Sequence, residues 1–132
     1  MNLNDMAKEV HQNAVEHGWW EKDIHFGSLV ALMHSELSEA LEEFRNHKPN
    51  VYYKCGYCTE GGCYFDDINK PPCGEEAEKA YIKPEGIAIE LADCIIRILD
   101  YCGKENIDIE EAIRIKHEYN KTRPYRHGGK QI

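Results

Sequence analysis

Two pairs of acids are the residues most able to do chemistry in this chain. Glu36 and Glu39 stand three residues apart, and Glu90 and Asp93 repeat that spacing. On a helix a separation of three puts both carboxylates of a pair on one face, and Glu43 follows one turn after Glu39. Neither pair sits where a solvated acid is expected. Glu36 follows Leu32 and Met33 at spacings of four and three, so it borders the face that must be buried. Glu90 and Asp93 lie within Gly86–Asp100, a stretch apolar nearly all round, as in a central, buried helix.

Four ionised carboxylates about 6 Å apart repel by roughly 2 to 3 kcal/mol per pair at an effective dielectric near 20. Summed over the pairs this is on the order of 10 kcal/mol, comparable with the stability of a whole domain. Either some of them are protonated or a cation sits among them. An all-oxygen donor set suits Mg²⁺ or Mn²⁺ better than Zn²⁺. The plainer alternative leaves Glu36 and Glu39 solvated and lets Glu90 and Asp93 cap or pair locally. A di-iron carboxylate bundle fits poorly, because such sites want a Glu-x-x-His pair on each of two helices and neither acidic pair has that His.

The elements that must position these acids are helices. Residues 3–18 predict a first helix, capped by Asn4 or Asp5 and stopped at Gly18. A second runs from near Ser28 to Pro49 and carries Glu36, Glu39 and Glu43. The third begins after Pro84, carries Glu90 and Asp93, and ends at a turn at Gly103. Asp108 with Glu111 three residues on forms a capping box for a fourth, which fades by Pro124. Chain length fits one domain over 1–132, an all-α, four-helix-type bundle.

Residues 50–80 break the pattern. Tyr, Gly, Pro and Cys crowd together, hydrophobic periodicity is lost, and an irregular insert is expected between helices two and three. Cys55-Gly-Tyr-Cys58 has the spacing of a zinc knuckle, and Cys63 and Cys73 complete a tetrahedral set for a structural Zn²⁺. Disulfides and free thiols are the other readings. Cys94 and Cys102, on helix three, read as small core residues.

The formal charge of −8 argues against a general nucleic-acid binder. Positive charge gathers at the end, where Arg114, Lys116, Lys121, Arg123, Arg126 and Lys130 meet one acid, Glu118. Gly128 and Gly129, with Arg126, His127 and Lys130 around them, could expose backbone N–H groups to a phosphate, or the stretch is a frayed basic terminus. Trp19 and Trp20 either fill a gap between helices or offer a plane on which a base stacks. No stretch has the length of a membrane span and no apolar signal segment follows Met1, so a soluble, cytoplasmic protein is expected. Helix three is apolar around its circumference, which predicts an obligate oligomer.

Taken together and in order, Glu36-x-x-Glu39 and Glu90-x-x-Asp93 resemble the paired acidic motif of the MazG-like, all-α nucleoside triphosphate pyrophosphatases. The ending from Lys116 to Lys130 also resembles the close of many short MazG-like chains. The resemblance implies a helical bundle that forms a homodimer or homotetramer. It implies Mg²⁺-dependent hydrolysis of a (deoxy)nucleoside triphosphate to monophosphate and pyrophosphate, in nucleotide-pool house-cleaning. Glu36, Glu39, Glu90 and Asp93 are then metal ligands, and one of them or Glu43 takes the proton of the attacking water. Lys116, Arg123, Arg126 and Lys130 neutralise phosphates, Asn120 binds sugar or phosphate, and Trp19 or Trp20 faces the base. The cysteine-bearing segment makes the connection between the acidic pairs longer than is usual for that family. The competing expectation is a zinc-loop module that binds a partner protein without turnover, the helices serving as scaffold.

Overall fold

The structure, a computed structural model, describes residues 2–55, 64–68, 82–126 and 131. In chain order its elements are α1 (Leu3–Glu16), α2 (Phe26–Arg45), β1 (Tyr52–Cys55), β2 (Tyr64–Phe65), β3 (Ile82–Glu85), α3 (Ile87–Glu105) and α4 (Ile109–Thr122). It is mostly helical, with a small antiparallel sheet in the order β2-β1-β3. The chain divides into two compact units, Met1–Asp23 with Ile98–Ile132, and Ile24–Arg97.

In the terminal unit, Ala7, Leu99 and Cys102 form a buried cluster flanked by Met6, Val10 and Ile109. Asn2, rather than Asn4 or Asp5, caps α1, its side chain accepting the Asp5 N–H at 2.7 Å. Asn4 works across helices instead. Its amide donates to Asp108 at 2.8 Å and its oxygen accepts the Ile109 N–H at 3.1 Å, which ties α1 to the start of α4. Gly18 ends the first helix with a left-handed φ of 81°. Asp108 caps α4 through the Glu111 N–H at 3.0 Å, but the Glu111 carboxylate turns to Arg114, so only half of the expected capping box forms.

Gly103 does not end the third helix. α3 continues to Glu105, and the left-handed residue that stops it is Asn106, with φ 52°. The glycine answers a different need. A Cβ at Gly103 would overlap the Ala7 carbonyl oxygen and come within 2.7 Å of His11 Cβ, so its absence lets α1 and α3 pack backbone to backbone.

In the central unit, α2 starts two residues before the expected Ser28 because His25 caps it, its ring nitrogen accepting the Gly27 N–H at 3.0 Å. The expected irregular insert is in part a sheet. Tyr52 pairs with Glu85 and Cys55 with Ile82, while Tyr53 faces Phe65 on the other side. The Val51-Tyr-Tyr run has the aromatic and β-branched character of a strand, and the surrounding Gly and Pro obscured it. Pro84 is tolerated because β3 lies at an edge of the sheet. Gly86, at φ 118°, then turns β3 into α3 where a Cβ would strike the carbonyls of Pro49 and Asn50. The Ala88 N–H closes this junction on the Asn50 carbonyl at 3.0 Å.

α3 is not buried all round. Glu90, Cys94, Leu99 and Cys102 are covered, whereas Leu91, Ile95, Ile96 and Ile98 are exposed. On α2, Leu37, Leu41 and Phe44 form an exposed stripe at spacings of four and three, with Phe44 67 % accessible. No helix among the described residues is long and apolar enough to cross a membrane.

Candidate metal centre

Glu36 and Glu39 come from the middle of α2, and Glu90 comes from the first turn of α3. All three stand in the central unit. One carboxylate oxygen from each lies within 4.8 Å of the other two. Glu36 and Glu90 are both only 7 % exposed, while Glu39 is open to solvent. A second triad, Glu43, Glu85 and Glu90, meets the same distance limit, so Glu90 belongs to both. Glu43 is held from the sheet side. The Tyr52 hydroxyl donates to its carboxylate at 3.0 Å, and burial together with that bond raises the tyrosine pKa, so the hydroxyl stays a donor.

Crowding shows in the protonation of these acids. Burial, then a hydrogen bond with Glu39, then the charges of Glu39, Asp93 and Glu85 push the Glu90 carboxyl up to about 7. The Asp93 carboxyl is also raised, first by burial and next by the Glu36 charge, against the pull of Arg97 and Lys83. Two cations offset part of the negative charge. Arg97 donates through Nε to Glu36 Oε1 at 2.6 Å, and Lys83 Nζ lies 3.0 Å from Glu85 Oε1. With these pairings no buried side-chain polar atom among the described residues lacks a hydrogen-bond partner.

The donor set fits a hard divalent cation. It is all carboxylate, it converges from two helices and a strand, and Glu90, one of its two buried members, has its carboxyl pushed up to about 7. A cation among these oxygens would do the work that the shared proton and Arg97 do here.

The other expected site residues fall as follows. Asp93 is half-buried on α3 and lies outside both triads. Trp20 is engaged within the terminal unit: its indole N–H donates to Asp100 at 3.0 Å, its ring meets His11 edge-on, and Lys104 sits 4.8 Å from the ring centre. Trp19 is 67 % exposed. Lys116 and Arg123 flank the Tyr119 ring at 4.8 and 5.7 Å. Asn120 is exposed near the end of α4, and Arg126 stacks on Tyr125 beyond it. Cys55 is a buried free thiol in β1, and Cys58, Cys63, Cys73 and Lys130 lie outside the described residues. Cys94 and Cys102 are buried free thiols, as core residues should be.

Tyr52, Lys83, Glu85 and Arg97 were missed in the sequence. Arg97 had a readable signal, since it follows Glu90 by seven and Asp93 by four on one helix face. The others depend on the sheet register, which pairs Tyr52 with Glu85. No family model matches the chain, and neither a curated protein nor a solved structure matches it.

Proposed function

We propose that this chain is a divalent-metal-dependent nucleoside triphosphate pyrophosphohydrolase. The observation that carries this reading is the convergence of Glu36, Glu39 and Glu90 within 4.8 Å, two of them buried, on the motif that resembles the MazG-like enzymes. Glu36, Glu39 and Glu90 would hold Mg²⁺ or Mn²⁺, and the resemblance adds Asp93 as a fourth ligand. Bound there, the ion supplies neutralisation of phosphate charge and polarisation of a phosphoryl oxygen.

The chain's own residues supply the rest. A triphosphate is repelled by bare carboxylates, so cations must meet it as well. Within the unit that holds the acids, Lys83 and Arg97, which pair with Glu85 and Glu36, are such cations. The resemblance assigns Lys116, Arg123, Arg126 and Lys130 to the phosphates, Asn120 to sugar or phosphate, and Trp19 or Trp20 to the base. Glu43 is the proton acceptor this reading favours, because the Tyr52 hydroxyl fixes the orientation of its carboxylate. The exposed stripe Leu37, Leu41 and Phe44 supports assembly into a homodimer or homotetramer.

Incubation with a panel of ribo- and deoxyribonucleoside triphosphates and Mg²⁺ tests the activity. Monophosphate and pyrophosphate in equal amounts are expected. Release of inorganic phosphate with diphosphate, or no turnover across the panel, would overturn it.

A further inference from the structure

Arg97 brings a positive charge into the carboxylate site. It stands on α3 seven residues after Glu90, and its Nε–H reaches back to Glu36 Oε1 at 2.6 Å. Glu36 is almost fully covered, whereas the Arg97 side chain is 38 % exposed. The ion pair is thus asymmetric: the acid is fixed in the site and the guanidinium has water to move into. One oxygen of the same Glu36 carboxylate also lies within 4.8 Å of oxygens of Glu39 and Glu90. A divalent ion and the guanidinium therefore compete for one carboxylate, and two cations at that separation repel.

We infer that Arg97 is a built-in counter-cation that occupies the Glu36 side of the site without metal and is released from Glu36 when a divalent ion binds. The inference rests on the reading of these carboxylates as a metal centre. It gives Arg97 two states with separate duties. Paired, it keeps a covered carboxylate from being left alone among other acids, which stabilises the metal-free fold. Released, it carries a half-exposed positive charge beside the site, where an anionic substrate would arrive. Metal affinity is then held below what the carboxylates alone would give.

Two measurements that do not depend on turnover test this. Mn²⁺ binding, followed by calorimetry and electron paramagnetic resonance, is compared among the wild type, Arg97→Gln and Arg97→Lys. Arg97→Gln should bind about tenfold tighter, because no ion pair has to be broken. Its metal-free melting temperature should fall, so its gain in melting temperature on adding Mn²⁺ should exceed that of the wild type. Arg97→Lys keeps a charge and should bind close to wild type. Equal or weaker binding by Arg97→Gln overturns the inference while leaving the metal centre standing. Absence of Mn²⁺ binding in the wild type overturns both. Should Arg97→Gln not fold without metal, the wild type carries the test through the ¹⁵Nε–H resonance of Arg97, assigned by its loss in Arg97→Lys. It should exchange slowly in metal-free protein and shift and exchange faster with saturating Mg²⁺. An unchanged resonance would refute the release.

Discussion

Glu90 makes the crowding of the carboxylates measurable as stability. Its carboxyl rises from 4.5 to about 7, chiefly through burial and the neighbouring Glu39. The folded protein therefore keeps a proton that the unfolded chain gives up near pH 4.5. Stability from this group is fully present below that pH and is lost as the pH rises through about 7. The difference between the two values corresponds to about 3 kcal/mol, or roughly 10 °C of melting temperature for a chain of this size. Asp93, raised in the same direction, adds a fall of the same sign. Unfolding by urea or heat in excess chelator at pH 5, 6, 7 and 8 would show it. The wild type should lose stability across that range, Glu90→Gln should lose much less, and Mg²⁺ should stabilise the wild type more at pH 8 than at pH 5. A metal-free wild type equally stable at pH 5 and 8, or a Glu90→Gln variant with the same slope, would refute the reasoning.

Three further outcomes follow from particular contacts. Tyr52→Phe removes the donor to Glu43 and should cost about 1 to 2 kcal/mol in urea unfolding with the fold retained by circular dichroism. Asp100→Ala leaves the Trp20 indole and the His11 ring without their shared acceptor and should cost about 2 kcal/mol, with altered tryptophan fluorescence. The exposed stripe on α2 predicts a dimer or larger species by sedimentation at micromolar concentration, and Leu41→Glu should shift it toward monomer.

Sequence periodicity located α1, α2 and α3, each of which has covered residues on one side, whereas α4 has none buried and was legible from its Asp108 cap. Glu36, Glu39 and Glu90 stood out because acids beside a covered face are conspicuous. It misjudged positions where one residue type serves two purposes. Gly103 reads as a helix stop, yet it is the point of close approach to Ala7. Asn4 reads as a cap for its own helix, yet it bridges to Asp108 and Ile109. The sheet was hidden because its strands are short and separated by Gly- and Cys-rich sequence, so β1 and β3 are joined only by a register that a linear pattern does not encode. Glu85 and Lys83 were lost with it. The apolar character of α3 suggested a central, buried helix with surface left for a partner chain, and in the single chain Leu91, Ile95, Ile96 and Ile98 are open.

The most direct test of the account is pyrophosphate release from nucleoside triphosphates by the wild type and Glu39→Gln in parallel, with saturating Mg²⁺. Glu39 is exposed, so its replacement should leave the helices intact while removing one oxygen ligand from the triad. The account predicts Mg²⁺-dependent pyrophosphate release by the wild type and its loss in a folded Glu39→Gln protein. Near-normal turnover by that variant, or wild-type turnover that persists in excess chelator, would contradict it.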